Sequence, residues 1–282
     1  MENKQEWTKI IRSEDSFFKL NLKEVLEYKD LIFLLTKKNF TTMYKQTILG
    51  PLWIVINPLL TTTMFTIIFG YIASIPTDSV PQFIFYMAGN IIWVYFSACL
   101  SQISSTFLTN AAIFGKVYFP RLVLPISVIF TKLIDFTVQL AIFVLFIILF
   151  KYKGANIAVD TRVVLFPLLI VQVAALALGV GVIISSLTTK YRDLNVLVGF
   201  GLQLWMYATP IVYPSSQIGG KLYTLLMLNP MAPIVETFRY LFLGCGEISV
   251  KFLIISVVET IVVATIGIFL FKKVEKDFID TV

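Results

Sequence analysis

Long runs of hydrophobic residues, separated by short polar interruptions, dominate the chain. A hydrocarbon core of about 30 Å needs roughly 20 residues at about 1.5 Å of helical rise per residue. Six runs reach that length: 52–75, 83–107, 125–150, 163–187, 194–213 and 250–271. The segments between them carry prolines, glycines and charges, as in 76–82, 151–162 and 188–193, which is typical of loops. The pattern predicts an all-α polytopic membrane protein with six transmembrane helices.

A different pattern precedes the first run. Apolar residues recur at helical spacing over residues 21–38, with lysines between them. Asn21, followed three residues later by Glu24, resembles a capping box. We predict an amphipathic interface helix over residues 21–38, which either rests on the bilayer or contacts a partner. No apolar block with a cleavage site marks a signal peptide in residues 1–49, so we expect this segment to be cytoplasmic.

The composition narrows the function. Of the 282 residues, 57% are hydrophobic and 14% are charged, whereas about a quarter are charged in soluble proteins. Histidine is absent, and two cysteines, Cys99 and Cys245, are too few for a zinc cage or a disulfide framework. Neither Gly-Lys pair belongs to a phosphate-binding loop. These absences exclude enzymes built on histidine, a zinc cage and an ATP-binding P-loop on this chain, so another chain must supply energy if it is used.

The distribution of Lys and Arg predicts the orientation. Seventeen of the 23 fall on one side of the predicted membrane if both termini lie inside. The positive-inside rule therefore places both termini in the cytoplasm. We expect a membrane domain over residues 50–275, followed by a cytoplasmic tail over residues 276–282. Orientation also accounts for the net charge of +6, so nucleic-acid binding is not expected.

Two further segments are unlike simple loops. Residues 108–124, on the cytoplasmic side, are half apolar and half basic, and could lie flat on another protein. Residues 221–228 and 231–243 are apolar, but as helices they would be only about 12 and 20 Å long, and Asn229 and Pro230 separate them. Both helices are too short to cross the membrane. We predict a re-entrant pair in the outer leaflet, which is tolerated only when packed in protein or lining a water-filled cavity.

Charged residues inside the apolar runs are candidates for function. Lys132 and Asp135 lie three residues apart and can pair, either as a structural ion pair or as part of a site. Glu259 lies near the middle of the last run, where it is either a hydrogen-bonded anchor or a residue used in conduction or gating. Glu236 and Arg239 either latch the second short helix or form a simple surface pair.

Aromatic residues make up 15% of the chain. Most are expected to face lipid or to form the interfacial belt. Their rings can also stack on the apolar C–H faces of sugars without gripping any one of them tightly, which suits a moving glycan. The candidates for lining such a channel are Tyr86, Trp93, Phe96, Trp205 and Tyr207.

Four segments in order carry a family resemblance. They are YKQTILGPLWIVINPLL (44–60), FGKVYFPRLVLP (114–125), KYRDLN (190–195) and NPMAPIVETFRYLFLG (229–244). With six spans and a short re-entrant pair, the chain from about residue 40 onward resembles the permease subunit of type-2 ABC exporters for lipid-linked polysaccharides. That family includes O-antigen, capsule and teichoic-acid exporters.

The resemblance implies a homodimer in the bacterial cytoplasmic (inner) membrane that carries two copies of a cytosolic ABC ATPase. ATP and Mg would bind to that ATPase, so this chain is expected to be a transport subunit that is not an enzyme and holds no cofactor or metal. The glycan would pass along an aromatic-lined channel at the dimer interface, among membrane lipids. The family elements would be the interface helix over 21–38, a coupling helix over 108–117 and outer gate helices within 221–243.

Site residues are assigned on this basis. The predicted ATPase contacts are Ile113, Phe114, Lys116, Tyr118, Phe119 and Arg121. The lysines just before the first span are predicted to hold the lipid pyrophosphate at the substrate entrance: Lys37, Lys38 and Lys45. The residues predicted to seal or hold the outer gate are Glu236, Phe238, Arg239, Tyr240 and Phe242.

Two other functions remain open at this point. The first is a type-2 ABC permease for a drug or small lipid, because the scaffold is shared and a fold does not dictate its substrate. The second is a membrane-embedded glycolipid transferase, which should display paired catalytic residues facing one leaflet. The spans contribute only Asp135 and Glu259 as acids, which disfavours the transferase.

Overall fold

The computed structural model describes residues 22–45, 47–114, 119–188, 191 and 193–279. Every regular element within these ranges is helical, which confirms the predicted all-α class. Its α-helices are α1 (Leu22–Glu27), α2 (Lys29–Tyr44), α3 (Trp53–Phe65), α4 (Gln82–Ser104), α5 (Thr106–Phe114), α6 (Val123–Tyr152), α7 (Phe166–Thr188), α8 (Leu194–Tyr207), α9 (Gly220–Met227), α10 (Met231–Leu243) and α11 (Val250–Ile279).

Five of the six predicted spans are helices long and apolar enough to cross a membrane. They cover Gly50–Ile72, Gln82–Ser104, Val123–Tyr152, Thr161–Thr188 and Val250–Val274. The fifth predicted span, 194–213, is helical only as the 14 residues of α8. Pro210 explains the early end, since proline lacks an amide N–H and disfavours helical backbone at the residue before it. The chain is thus a multi-pass membrane protein, and the count of six spans stays a prediction.

Helix α4 is the centre of the bundle. It contacts α3, α6, α7, α8 and α10, and it is buried on every side from Ile84 to Trp93. By contrast, α11 packs mainly against α7 and leaves most of its apolar surface exposed. Both segments are apolar enough to cross a membrane, and the central one has the lower mean hydropathy, 1.6 for Gln82–Ser104 against 2.5 for Val250–Val274.

The N-terminal amphipathic helix differs from the predicted one. A break at Tyr28 divides it into α1 and α2, and α2 continues to Tyr44, beyond the predicted end at residue 38. Asn21, the predicted cap, lies outside the described residues. Ile32 and Leu35 are buried because α2 packs along α6. The apolar face therefore contacts the bundle, so the helix does not rest on lipid alone.

The short helices agree more closely with the predictions. Helix α10 has the predicted bounds of 231–243, and α9 begins and ends one residue before the predicted 221–228. Helix α5 begins at Thr106, two residues before the predicted coupling helix, and is described to Phe114; residues 115–118 lie outside the described part of the chain.

Small residues allow α7 and α11 to pack closely. A Cβ atom added to Gly267 would clash with the carbonyl oxygen of Gly179, and one added to Gly179 would lie 2.7 Å from Cα of Ala264. Close backbone contact at small residues is a common way for helices to associate in lipid, where van der Waals packing replaces the hydrophobic effect.

Candidate functional site

A buried ion pair holds α10 in the bundle. Nη1 of Arg239 lies 3.2 Å from Oε1 of Glu236, one turn earlier on the same helix. Arg239 also donates to the carbonyl oxygens of Pro210 and Ile211, and its guanidinium lies 3.8 Å from the ring centroid of Phe85 on α4. One side chain thus joins α10, the segment after α8 and α4. The pair is an internal latch, and the alternative of a simple surface pair is wrong.

Asn229 forms a second junction, between α8 and α10. Its amide Nδ2 donates to the carbonyl oxygen of Ala208 at 3.0 Å and to Oγ1 of Thr209 at 2.9 Å. Its Oδ1 accepts from Nε1 of Trp205 at 2.8 Å and from the backbone N–H of Met231 at 3.1 Å. The amide group thereby uses both donors and its acceptor oxygen, fixing the start of α10 against the end of α8.

A third contact joins α10 to the loop between α6 and α7. Arg162 pairs with Asp160 at 2.8 Å and lies over the ring of Tyr240 at 5.4 Å. The backbone N–H of Asp160 donates to the carbonyl oxygen of Leu241. Hydrogen bonds from Arg162 stabilise the charged carboxylate and lower the pKa of Asp160 to about 2.

The predicted gate residues pack as one cluster. Phe238 and Phe242 are buried, with ring centroids 4.6 Å apart, and both pack against Phe143 of α6. Tyr240 is partly exposed and contacts Arg162. The structure therefore brings the gate aromatics and the ion pair together on α10, while their role in sealing a pathway stays a prediction.

The predicted channel aromatics are divided between the core and the surface. Tyr86, Trp93 and Phe96 are buried inside the bundle on α4. Trp205 is half-buried, with its ring 5.0 Å from that of Phe96, and Tyr207 is 50% exposed. A channel between two copies needs ring faces on the surface of each copy. Of the five, Tyr207 is the most accessible, and the lining role of the set stays a prediction.

The predicted ATPase contacts lie around the end of α5. Lys116 and Tyr118, with the side chains of Ile113 and Phe114, fall outside the described residues. Phe119 and Arg121 are only 7% and 6% exposed, and the Arg121 guanidinium lies 5.9 Å from the ring centroid of Phe107 on α5. Both side chains are therefore buried within this chain, and Arg121 contacts α5 through Phe107. Their contact with the ATPase stays a prediction.

The predicted entrance lysines and the membrane-embedded pair lie near each other along α2 and α6. Lys37, Lys38 and Lys45 are exposed, as an anion-binding role requires. Lys132 pairs with Asp135 at 3.2 Å, which confirms the predicted ion pair. The hydroxyl of Tyr44, at the end of α2, donates to the other oxygen of Asp135 at 3.1 Å.

Glu259 is half-buried on α11. Its Oε2 is shielded from solvent, and no described residue hydrogen-bonds to that atom. Neighbouring Ser256 instead accepts from Nε2 of Gln172 on α7 and donates to the carbonyl oxygen of Pro230. Both roles of Glu259, as an anchor and in conduction or gating, stay predictions.

Sequence reasoning missed three residues: Asn229 and Tyr44, which make the contacts above, and Gln139, which lines a cleft beside Asp135. Asn229 was recognised only as part of a turn, although an Asn directly before a helix is a common capping signal. Tyr44 and Gln139 carry no comparable local signal. They matter because they converge with Asp135 on one cleft of about 390 Å³.

Comparison with known proteins adds an independent observation. Residues 30–243 match the family described as ABC-2 type transporter. Two proteins from Klebsiella pneumoniae named "O-antigen export system permease protein RfbA" are 29% and 26% identical to the chain over 250 residues, which is 88% of this chain and 93% of each relative. A protein of the same name from Myxococcus xanthus is 30% identical over 224 residues, covering 78% of this chain and 83% of the relative.

Proposed function

Because this chain belongs to the ABC-2 type transporter family, we propose that it is the membrane-spanning channel subunit of an ATP-driven exporter that moves a lipid-linked polysaccharide of O-antigen type across the cytoplasmic membrane. The substrate class rests on one observation: this chain is similar to three permeases named for O-antigen export over 83% to 93% of their length. The chain is a transport subunit, and hydrolysis belongs to a partner ATPase that binds ATP and Mg.

The proposed complex contains two copies of this chain. Helix α8 supports this, since Val196, Leu197 and Phe200 are exposed apolar side chains. Its glycines, Gly199 and Gly201, have open space where a Cβ would lie. A partly unpacked helix in one copy is expected where a second copy completes the packing.

Two copies of a cytosolic ABC ATPase complete the proposed assembly. The segment around α5 is the proposed contact, because it joins two membrane helices on the side that carries most of the Lys and Arg residues. The same charge distribution supports a cytoplasmic-membrane location with both termini inside.

The test is an export assay in cells that synthesise the polysaccharide. Removing this chain should leave the lipid-linked glycan inside the cell, and expressing it together with its ATPase should restore the glycan to the surface. An ATPase variant that binds but does not hydrolyse ATP should fail to restore it. Normal surface glycan in cells without this chain would contradict the proposal. Restored efflux of a hydrophobic drug, without any effect on glycan, would favour the small-molecule permease instead.

A further inference from the structure

A cleft of about 390 Å³ lies among α2, α3, α4 and α6. This volume falls within the range of roughly 300 to 1,000 Å³ that is typical of small-molecule sites. The side chains of Thr47, Trp53 and Asn57 are exposed at its mouth, whereas Tyr95 and Phe136 are buried at its floor. The cleft is therefore open enough to admit a ligand and deep enough to enclose one.

The Asp135 and Lys132 pair gives the cleft unused hydrogen-bonding capacity. Oδ1 of Asp135 accepts from Tyr44, and Oδ2 accepts from Lys132. A carboxylate has about four acceptor positions, so lone pairs remain available. Lys132 also contacts the sulfur of Met43 at 3.4 Å, which leaves one of its three N–H donors. The pair is thus net neutral and can still accept and donate.

Gln139 adds a buried hydrogen-bond acceptor without a donor to the wall of the cleft. It is 5% exposed and lines the cleft, and no described residue donates to its Oε1. It follows Asp135 by four residues on α6, so the two side chains lie on one helix face. A buried amide oxygen without a donor is unfavourable. A ligand in the cleft that donates to Asp135 and, after rotation of the Gln139 side chain, to this shielded amide oxygen would remove that cost.

Aromatic side chains form much of the remaining wall. Tyr44, Trp53, Tyr95 and Phe136 all line the cleft. Rings beside carboxylate and amide acceptors suit a sugar ring, whose C–H faces are apolar and whose hydroxyls donate. An acyl chain would leave the Gln139 oxygen without a donor. A phosphate group would place negative charge beside Asp135.

We propose that this cleft binds a sugar ring of the lipid-linked glycan, near the lipid end of the substrate; this assignment rests on the proposed export function. Lys45 directly follows Tyr44, and Lys38 lies six residues earlier, about 9 Å along α2. The charged lipid end at these lysines and the first sugar in the cleft would then be neighbours. In this arrangement the pyrophosphate lies at the lysines, away from the Asp135 carboxylate. The sugar hydroxyls donate to the oxygens of Asp135 and Gln139.

Photocrosslinking in the assembled exporter tests the site. The variant Asn57→p-benzoylphenylalanine places the photoreactive group at the mouth of the cleft, and Thr63→p-benzoylphenylalanine places it at an exposed position of the same helix that does not line the cleft. In cells that make the glycan, we expect a glycan adduct at position 57, none at position 63, and loss of the adduct when glycan synthesis is blocked. A phospholipid adduct at position 57, or no adduct there during normal export, would overturn the assignment.

A third position separates failure of the site from failure of the proposed function. The variant Tyr207→p-benzoylphenylalanine reports on the predicted channel. Glycan adducts at position 207 but not at 57 would refute the cleft and retain the export function. Absence of adducts at both positions, with surface glycan that does not depend on this chain, would refute both.

Gln139→Leu tests the role of the amide oxygen. Losing one neutral hydrogen bond to the ligand should raise the glycolipid concentration that half-maximally stimulates ATP hydrolysis by roughly three- to tenfold. Thermal stability without glycolipid should be equal or higher, because an acceptor without a donor has been removed. Gln217→Leu, at an exposed position before α9 that does not line the cleft, is the matched control. Lower stability with an unchanged half-maximal concentration would assign Gln139 a purely structural role and overturn its part in the site.

Discussion

Arg239 and Glu236 form an ion pair 3.2 Å long in which the side chains are 0% and 2% exposed. Burial of two charges costs solvation free energy, and the cost is offset only when further hydrogen bonds satisfy both groups. Here the carbonyl oxygens of Pro210 and Ile211 accept from the guanidinium, and Ser215 hydrogen-bonds to the carboxylate. The pair therefore fixes α10 to the segment after α8.

The first prediction concerns this pair. Arg239→Met should destabilise the protein by about 3 to 5 kcal/mol, because it leaves the Glu236 carboxylate buried without a cation. Arg239→Lys keeps the positive charge but loses the planar guanidinium that donates to several acceptors at once, so an intermediate loss of stability is expected. Thermal unfolding of the purified complex measures both. Lys221→Met, at an exposed position on α9, is the control, and a melting temperature of Arg239→Met equal to that of the wild type would refute the latch.

The second prediction concerns Asn229. Asn229→Ala removes three hydrogen bonds to α8 and the residues after it and one that caps α10, and it should lower stability by roughly 1 to 3 kcal/mol. Asn229→Asp keeps the acceptor for Trp205, but it turns a carboxylate oxygen toward the Ala208 carbonyl in place of a donor, so a loss at least as large is expected. Asn195→Ala, at an exposed position on α8, should be neutral. Equal melting temperatures for all three variants would show that the junction is dispensable.

The third prediction concerns backbone packing between α7 and α11. Gly267→Ala should destabilise the bundle by roughly 1 to 3 kcal/mol, because the added Cβ meets the backbone carbonyl of Gly179 and cannot be relieved by a side-chain rotation. Gly199→Ala on α8 meets open space within one copy, so the separated chain should be unchanged or gain up to about 1 kcal/mol from helix propensity. Thermal unfolding of the two variants provides the comparison. Loss of export without loss of stability in Gly199→Ala would indicate that a second copy packs there.

The fourth prediction concerns ATPase docking. Thr109→Cys, on the exposed side of α5, should crosslink to the partner ATPase, whereas Asn156→Cys, in the loop between α6 and α7, should not. Phe119→Ala should instead reduce the yield of this chain, because that side chain is buried. Crosslinking in the presence and absence of ATP, followed by immunoblotting, provides the measurement. An ATPase adduct at position 156 alone would reverse the predicted orientation.

The fifth prediction concerns topology. Cysteines replacing Lys153 and Lys221 should react with a membrane-impermeant thiol reagent from outside intact cells, and one replacing Lys37 should react only after permeabilisation. The native Cys99 and Cys245 are buried, so background labelling should be low. Met231 is fully buried, which makes it a poor reporter despite its place in the gate. Labelling of Lys37→Cys in intact cells would contradict a cytoplasmic N-terminus.

Local sequence signals were sufficient for most helix boundaries. Helix α10 illustrates this, since Asn229 and Pro230 precede it and Gly244 follows it with a left-handed φ of 70°. Glycine is the residue that most readily adopts this conformation at a helix end. The short α8 shows the limit, because hydrophobicity alone extended the predicted span beyond Pro210, where the backbone leaves the helix.

By itself, the sequence determined the all-α class, the long apolar spans, two short helices before the last span and the motifs of the family. Only the tertiary structure decided which faces are buried: α4 on every side, Phe119 inside the chain, and Tyr44 brought to Asp135 from 91 residues away. The physical reason is the solvent. In water a buried face is marked by its hydrophobicity, but lipid tails are as apolar as a protein core, so the sequence of a membrane helix carries little record of which side meets protein.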